Sequence, residues 1–227
     1  MPLIWIIFIA LTLASYIVSK SLESHFKKYA KIPANEGLTG KEVAERMLYD
    51  NDIHDVKVVC INGMLTDHYN PTDKTLNLSR DVYNGNSVVA AAVAAHETGH
   101  AVQHNVGYAW LQMRSTLVPA VNFASKWVQW VLLAGIIMVN KFPSLLLVGI
   151  VLFAVTTLFS IITLPVEVNA SKRALVWINT HSVTSQQTHA HAEKALRLAA
   201  YTYFIAAISS LATLLYYILI YLGGNRR

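Results

Sequence analysis

Apolar and polar positions alternate along this chain in blocks rather than residue by residue. Residues 3–18 form an uncharged apolar run slightly short of a typical membrane span. No basic residue precedes it, while Lys20, Lys27, Lys28 and Lys31 follow, the reverse of signal-peptide charge order, which favours an uncleaved anchor over a leader. Residues 20–116 are more polar. Within them Thr39-Gly40-Lys41-Glu42 is a capping-box pattern opening a helix that carries Val43, Met47 and Leu48 and ends near Asn51. Asp55–Ile61 reads as a strand and Thr75–Ser79 alternates like a half-exposed one, with turn chemistry at Asn62-Gly63 and Asn70-Pro71-Thr72-Asp73 between them. The edge of such a sheet could pair with an extended peptide, or the strands could form a hairpin that only covers the next helix. Asn84-Gly85-Asn86-Ser87 then starts a helix through the alanine-rich run after Val88.

The chain turns apolar again from Leu117. Residues 118–140 are long enough to cross a bilayer, although Asn122 and Lys126 interrupt their first half, and Trp127 and Trp130 suit a membrane boundary. After Lys141-Phe142-Pro143 comes a clean span, 144–164, stopped at Pro165. Residues 166–198 are polar, and 199–222 supply a fourth apolar run. The expected architecture is a mainly α integral membrane protein: about four transmembrane helices with a small α+β domain. It divides into an anchor (1–19), an extramembrane region (20–117), two transmembrane helices (118–164), a polar return segment (165–198), and a last helix with its tail (199–227).

Composition agrees. Of 227 residues 54% are hydrophobic, and the mean hydropathy of +0.41 is too high for an ordinary soluble fold. The net charge of +5 is scattered rather than gathered into a stripe with interleaved aromatics, which argues against nucleic acid as a partner and leaves the lipid bilayer as the expected one. Cys60 is the sole cysteine, which excludes an intramolecular disulfide and a multi-cysteine metal site. Counting crossings puts residues 20–117 and 165–198 on one face. That face carries most of the Lys and Arg near span ends, so the positive-inside rule assigns it to the cytoplasm of a multi-pass cell-membrane protein.

Chemistry concentrates at His96-Glu97-Thr98-Gly99-His100. Two histidines four apart project from one helical face and can grip a single zinc ion. Glu97 stands beside them, close enough to take a proton from a water on the metal. This is the HExxH pattern, expected by chance in about one chain in a hundred of this composition. The bland reading is a solvated or core-satisfied trio.

A catalytic zinc needs a third protein ligand. His104 lies about 12 Å of helical rise beyond His96, too far to share the ion, and suits a structural role. Glu167 is the first glutamate in the segment that returns to the active face, right after the third span, and Pro165 suits the first turn of a new helix that would aim it at the metal. The alternative for Glu167 is an interfacial ion pair with Lys172 or Arg173. His189, His191, Tyr201 and Tyr203 are candidate donors to a developing oxyanion.

These residues carry a resemblance. His96–Gln103, preceded by Leu65-Thr66-Asp67-His68-Tyr69-Asn70-Pro71 and Leu78-Ser79 and followed by Leu164–Leu175, resembles the YugP-type family of integral-membrane neutral zinc metallopeptidases over nearly the whole chain, and Ala199–Tyr203 fits its last segment. It is more distantly similar to membrane gluzincins of the heat-shock and CAAX-processing type, in which Glu-x-x-Ala-Asp supplies the third ligand. The resemblance implies one zinc ion held by His96, His100 and Glu167, with Glu97 as general base in the hydrolysis of a peptide or protein substrate, membrane proteins among the candidates. The alternative is a zinc-binding membrane scaffold or chaperone that has lost turnover. Ser171 stands where the distant relatives have Asp, and Asn169 where close relatives would carry an acid. Losses of this kind around a metal cost about ten- to a hundredfold in affinity or activity.

Overall fold

The computed structural model describes residues 2–63 and 65–224. The chain is mainly helical, 76%, with one small sheet. In order it forms α1 (Pro2–Tyr29), a 3-10 turn (Asn35–Gly37), α2 (Gly40–Asp50), β1 (Lys57–Ile61), β2 (His68–Asn70), β3 (Thr75–Ser79), α3 (Arg80–Tyr83), α4 (Val88–Asn105), α5 (Ala109–Ile137), α6 (Pro143–Thr180) and α7 (Gln186–Gly224). Four helices are long and apolar enough to cross a membrane, over Trp5–Tyr29, Ala109–Ile137, Pro143–Thr180 and Gln186–Gly223.

Two compact units partition these elements. One comprises Met1–Tyr16, Gln112–Pro165 and Tyr203–Arg227, the other Ile17–Leu111 and Val166–Thr202. The first is assembled from apolar helix faces around Leu132, Leu146 and Ile150. Its tightest crossing depends on Gly135: a Cβ there would lie 2.6 Å from the Leu146 Cα, so only a residue without a side chain lets α5 approach α6 so closely.

The second unit holds His96, Glu97, His100 and Glu167. Its sheet has the order β1-β3-β2, with β1 parallel and β2 antiparallel to β3. Leu76 and Leu78 alternate inward from β3 and are wholly buried, and Asn77 between them is not, the period expected of a strand with one covered face. Local rules set the helix starts. Thr39 caps α2 with a complete capping box, its hydroxyl accepting the Glu42 N–H at 3.3 Å while its own N–H donates to Glu42 Oε2 at 2.8 Å. Ser87 caps α4 by accepting the Ala90 N–H at 3.2 Å. The core gathers Val43, Met47 and Leu48 of α2, the alanines of α4, and Ala174, Trp177 and Ile178 of α6. Every residue from Val88 to Ala95 is buried, so α4 is a central helix covered on all sides and its alanines keep the neighbours near.

One boundary differs from the sequence expectation. Pro165 does not open a new helix, because α6 continues through it from Pro143 to Thr180. Proline removes one N–H donor, here to the Ile161 carbonyl, and adds a ring clash, but it does not dissolve a long helix whose other bonds are intact. α5 tolerates Pro119 in the same way. The apolar run and the segment carrying Glu167 are therefore one continuous helix.

Candidate metal centre

His96 and His100 lie one turn apart on α4, their rings edge to face with centroids 4.9 Å apart. α6 meets α4 at Gly99. A Cβ on Gly99 would stand 2.8 Å from the Ala170 carbonyl oxygen and 3.2 Å from its Cα, so the absence of a side chain is what lets the two backbones touch. That contact brings Glu167, one helical turn before Ala170 and 3% exposed, onto the histidines. Glu167 Oε2 lies 3.2 Å from His96 Nε2 and 3.6 Å from His100 Nε2. One ligand atom from each of the three side chains falls within 4.8 Å of the others, the one such group of three or more His, Cys, Asp or Glu among the described residues.

The far sides of both rings are held. His96 Nδ1 faces Ser171 Oγ at 3.1 Å. His100 Nδ1 faces Gln103 Oε1 at 3.0 Å, and the Gln103 amide donates to the Val166 carbonyl at 2.8 Å and to Asn169 Oδ1 at 3.0 Å. Asn169 Oδ1 also accepts from Arg173 Nε at 2.8 Å. This chain of bonds leaves one consistent assignment. The Gln103 amide nitrogen is committed to two acceptors, so its oxygen must accept from His100, which places an imidazole proton on Nδ1 and leaves Nε2 as the nitrogen that faces Glu167. An imidazole whose Nδ1 carries the proton presents Nε2 to a metal ion, and such outer hydrogen bonds fix ring orientation.

The donor set fits zinc. Two imidazole nitrogens and one carboxylate oxygen are a common catalytic zinc set, with nitrogen and oxygen donors of suitable hardness and room for a fourth ligand. Burial would lower the His100 pKa, but the hydrogen bond and charge of Glu167 outweigh it and hold His100 above the ordinary imidazole value. Burial pushes the Glu97 carboxyl up from its ordinary range, with Glu167 and Asp67 adding to the rise and the two imidazoles opposing it. Glu97 itself is not a member of the ligand cluster.

Other sequence candidates fall elsewhere. The His104 ring receives the Tyr69 hydroxyl at Nδ1, 2.8 Å away, and so ties α4 to β2. His189 Nδ1 pairs with Thr184 Oγ1 at 3.2 Å, and His191 stacks on Tyr29 at 4.4 Å between centroids. Tyr201 and Tyr203 are 47% and 38% exposed. Glu167 meets the two histidines. Sequence reading missed Gln103 as more than part of a matched motif. Its position three residues after His100 on the same helix was the available signal. Ser171, which stands where the distant relatives have an acid, contacts His96.

Comparison with known proteins agrees in one direction. A curated relative from Bacillus subtilis (strain 168), named putative membrane protease YugP, is 41% identical over 223 residues, covering 96% of this chain and 98% of the relative. No solved structure matches. The family model described as putative neutral zinc metallopeptidase matches residues 4–222, and the chain belongs to that family.

Proposed function

We propose that this protein is a multi-pass membrane endopeptidase in which His96, His100 and Glu167 hold one zinc ion, Glu97 is the general base, and the site opens to the cytoplasm. The observation that carries it is the convergence of one carboxylate from α6 on two imidazoles of α4, with the outward nitrogen of each ring already engaged. Bound in that cluster, zinc would supply Lewis acidity, lowering the pKa of a water toward neutrality and polarising a peptide carbonyl. Glu97 accepts the water's proton on its carboxylate and returns it to the leaving amine. Gln103 and Ser171 keep both imidazoles in the tautomer that presents Nε2. β2 has a free edge and packs beside α4, so its backbone can hold an extended peptide by strand addition. The zincin-like arrangement of helix, sheet and Glu-bearing helix serves this chemistry, and the basic residues flanking the apolar helices support the cytoplasmic orientation.

The test is metal content and hydrolysis together. Detergent-purified protein should carry about one zinc per chain, lose casein hydrolysis on chelation, and regain it when zinc is restored. Hydrolysis that survives complete removal of zinc would sink the assignment.

Gln103 offers a second check with a readout independent of turnover. Gln103→Leu keeps the side-chain volume but leaves His100 Nδ1, the Val166 carbonyl and Asn169 each short of a partner. Zinc affinity, measured by competition with a chromogenic chelator, should fall about ten- to a hundredfold. An unchanged affinity would show that His100 needs no such support.

A further inference from the structure

The second unit contains an apolar cavity of about 150 Å³ that the metal chemistry does not use. Its walls come from three places: Phe26 and Ala30 at the end of α1, Leu65 in the loop before β2, and Val82, Val89 and Ala90 at α3 and the start of α4. Glu23 and Lys27, paired at 2.7 Å, stand at its margin together with Asp67 and Asp81. The walls are therefore greasy while the margin is charged, which suits one apolar group entering from a polar surface.

Two observations tie this cavity to the hydrolytic site. Ala90 precedes Glu97 by seven residues, so both lie within about 20° of the same face of α4 and about 10 Å apart along it. Asp67 lines the cavity and accepts both the Ser79 N–H at 2.7 Å and the Ser79 hydroxyl. Asp67 also directly precedes β2, the free-edged strand. β2 packs on α4, with Tyr69 bonded to His104 seven residues beyond Glu97, so a peptide paired along that edge would pass the stretch of α4 between Ala90 and His104. Successive residues of an extended chain advance about 3.3 Å, so the cavity serves a side chain within about two or three residues of the cut bond. A dry cavity of about 150 Å³ is large enough for a benzene-sized group.

We infer that this cavity is a specificity pocket for one bulky apolar side chain of the substrate, leucine- to phenylalanine-sized, and that the end of the first apolar helix forms its wall. The inference rests on the hydrolase reading and extends it to substrate choice.

Ala30 is exposed and sits just past the end of α1, so a larger residue there can fill the pocket without entering the core. Cleavage sites in casein and in a random peptide library, mapped by mass spectrometry, should show Leu, Ile, Met or Phe enriched about tenfold or more over Ala at one position near the cut. Ala30→Phe should shift that position toward Ala and Gly and reduce the enrichment about tenfold. Ala90→Met, which fills the pocket from α4, should move it in the same direction. Dye-labelled peptides bearing Phe or Ala at that position should be distinguished by the Glu97→Gln protein in fluorescence anisotropy, and the distinction should disappear when Ala30→Phe is added. Cleavage with no apolar preference, or a preference that Ala30→Phe leaves intact, would overturn the pocket. So would a phospholipid that copurifies with the wild type and is lost in Ala30→Phe, because the cavity would then house an acyl chain. Binding selectivity without any hydrolysis would leave the pocket standing and remove the hydrolase reading instead.

Discussion

Glu97→Gln should abolish peptide hydrolysis, by at least about a thousandfold, while zinc content stays at its wild-type level. The two effects separate because Glu97 contributes no atom to the His96, His100 and Glu167 cluster. An amide has nearly the shape of a carboxylate but cannot take up a proton from water, so the variant removes proton transfer and leaves the metal donors where they are. Folding should survive as well. Burial disfavours the charged form of Glu97, and a neutral amide relieves that penalty rather than adding one. Zinc quantitation, thermal unfolding and casein hydrolysis on the same preparation check all three statements. Retained hydrolysis would exclude Glu97 as the base. A wild type that holds zinc and never cleaves would instead point to a metal-stabilised membrane scaffold.

Short-range physics made half of this site legible in the sequence. The spacing of His96 and His100 requires only that residues 88–105 be helical, and the Ser87 cap and the alanine run that follows guarantee it. The Thr39–Glu42 capping box and the alternation through Leu76 and Leu78 are equally local, and the structure contains both. What could not be seen is whatever depends on how α4 meets α6. Gly99 is one of the two unspecified positions of the motif, and nothing in the motif says that the Ala170 backbone lies against it. The contacts of Glu167, Gln103 and Ser171 all follow from that crossing, 63 to 75 residues away in sequence. Pro165 misled for the complementary reason. Its local preference for a helix start is outweighed by the rest of a long apolar helix, so the expected break is absent. At Ser171 the hydroxyl, a poorer acceptor than a carboxylate, lies 3.1 Å from His96 Nδ1.

Glu167→Ala should be the more damaging change for the metal, because it leaves two donors where three are needed. Affinity for zinc should fall by about a thousandfold or more, and hydrolysis at ordinary zinc concentrations should vanish with it. The effect on the metal-free protein has the opposite character to that of a lost core contact. Glu167 is the group that lifts the His100 pKa against the pull of burial. Without the carboxylate, only the weaker pulls of Glu97 and Gln103 oppose burial, and His100 should titrate lower than in the wild type. In the wild type, zinc must expel the proton that Glu167 favours on His100, so zinc uptake should weaken as the pH falls through that raised value. In Glu167→Ala the residual binding should be weak throughout and should lose this pH dependence near neutrality. Chelator competition across the pH range, with His100 followed by NMR in the metal-free protein, reads both predictions. Undiminished zinc affinity in Glu167→Ala would mean that another group supplies the third donor, and the carboxylate of α6 would then be only an ion-pair partner of the two imidazoles.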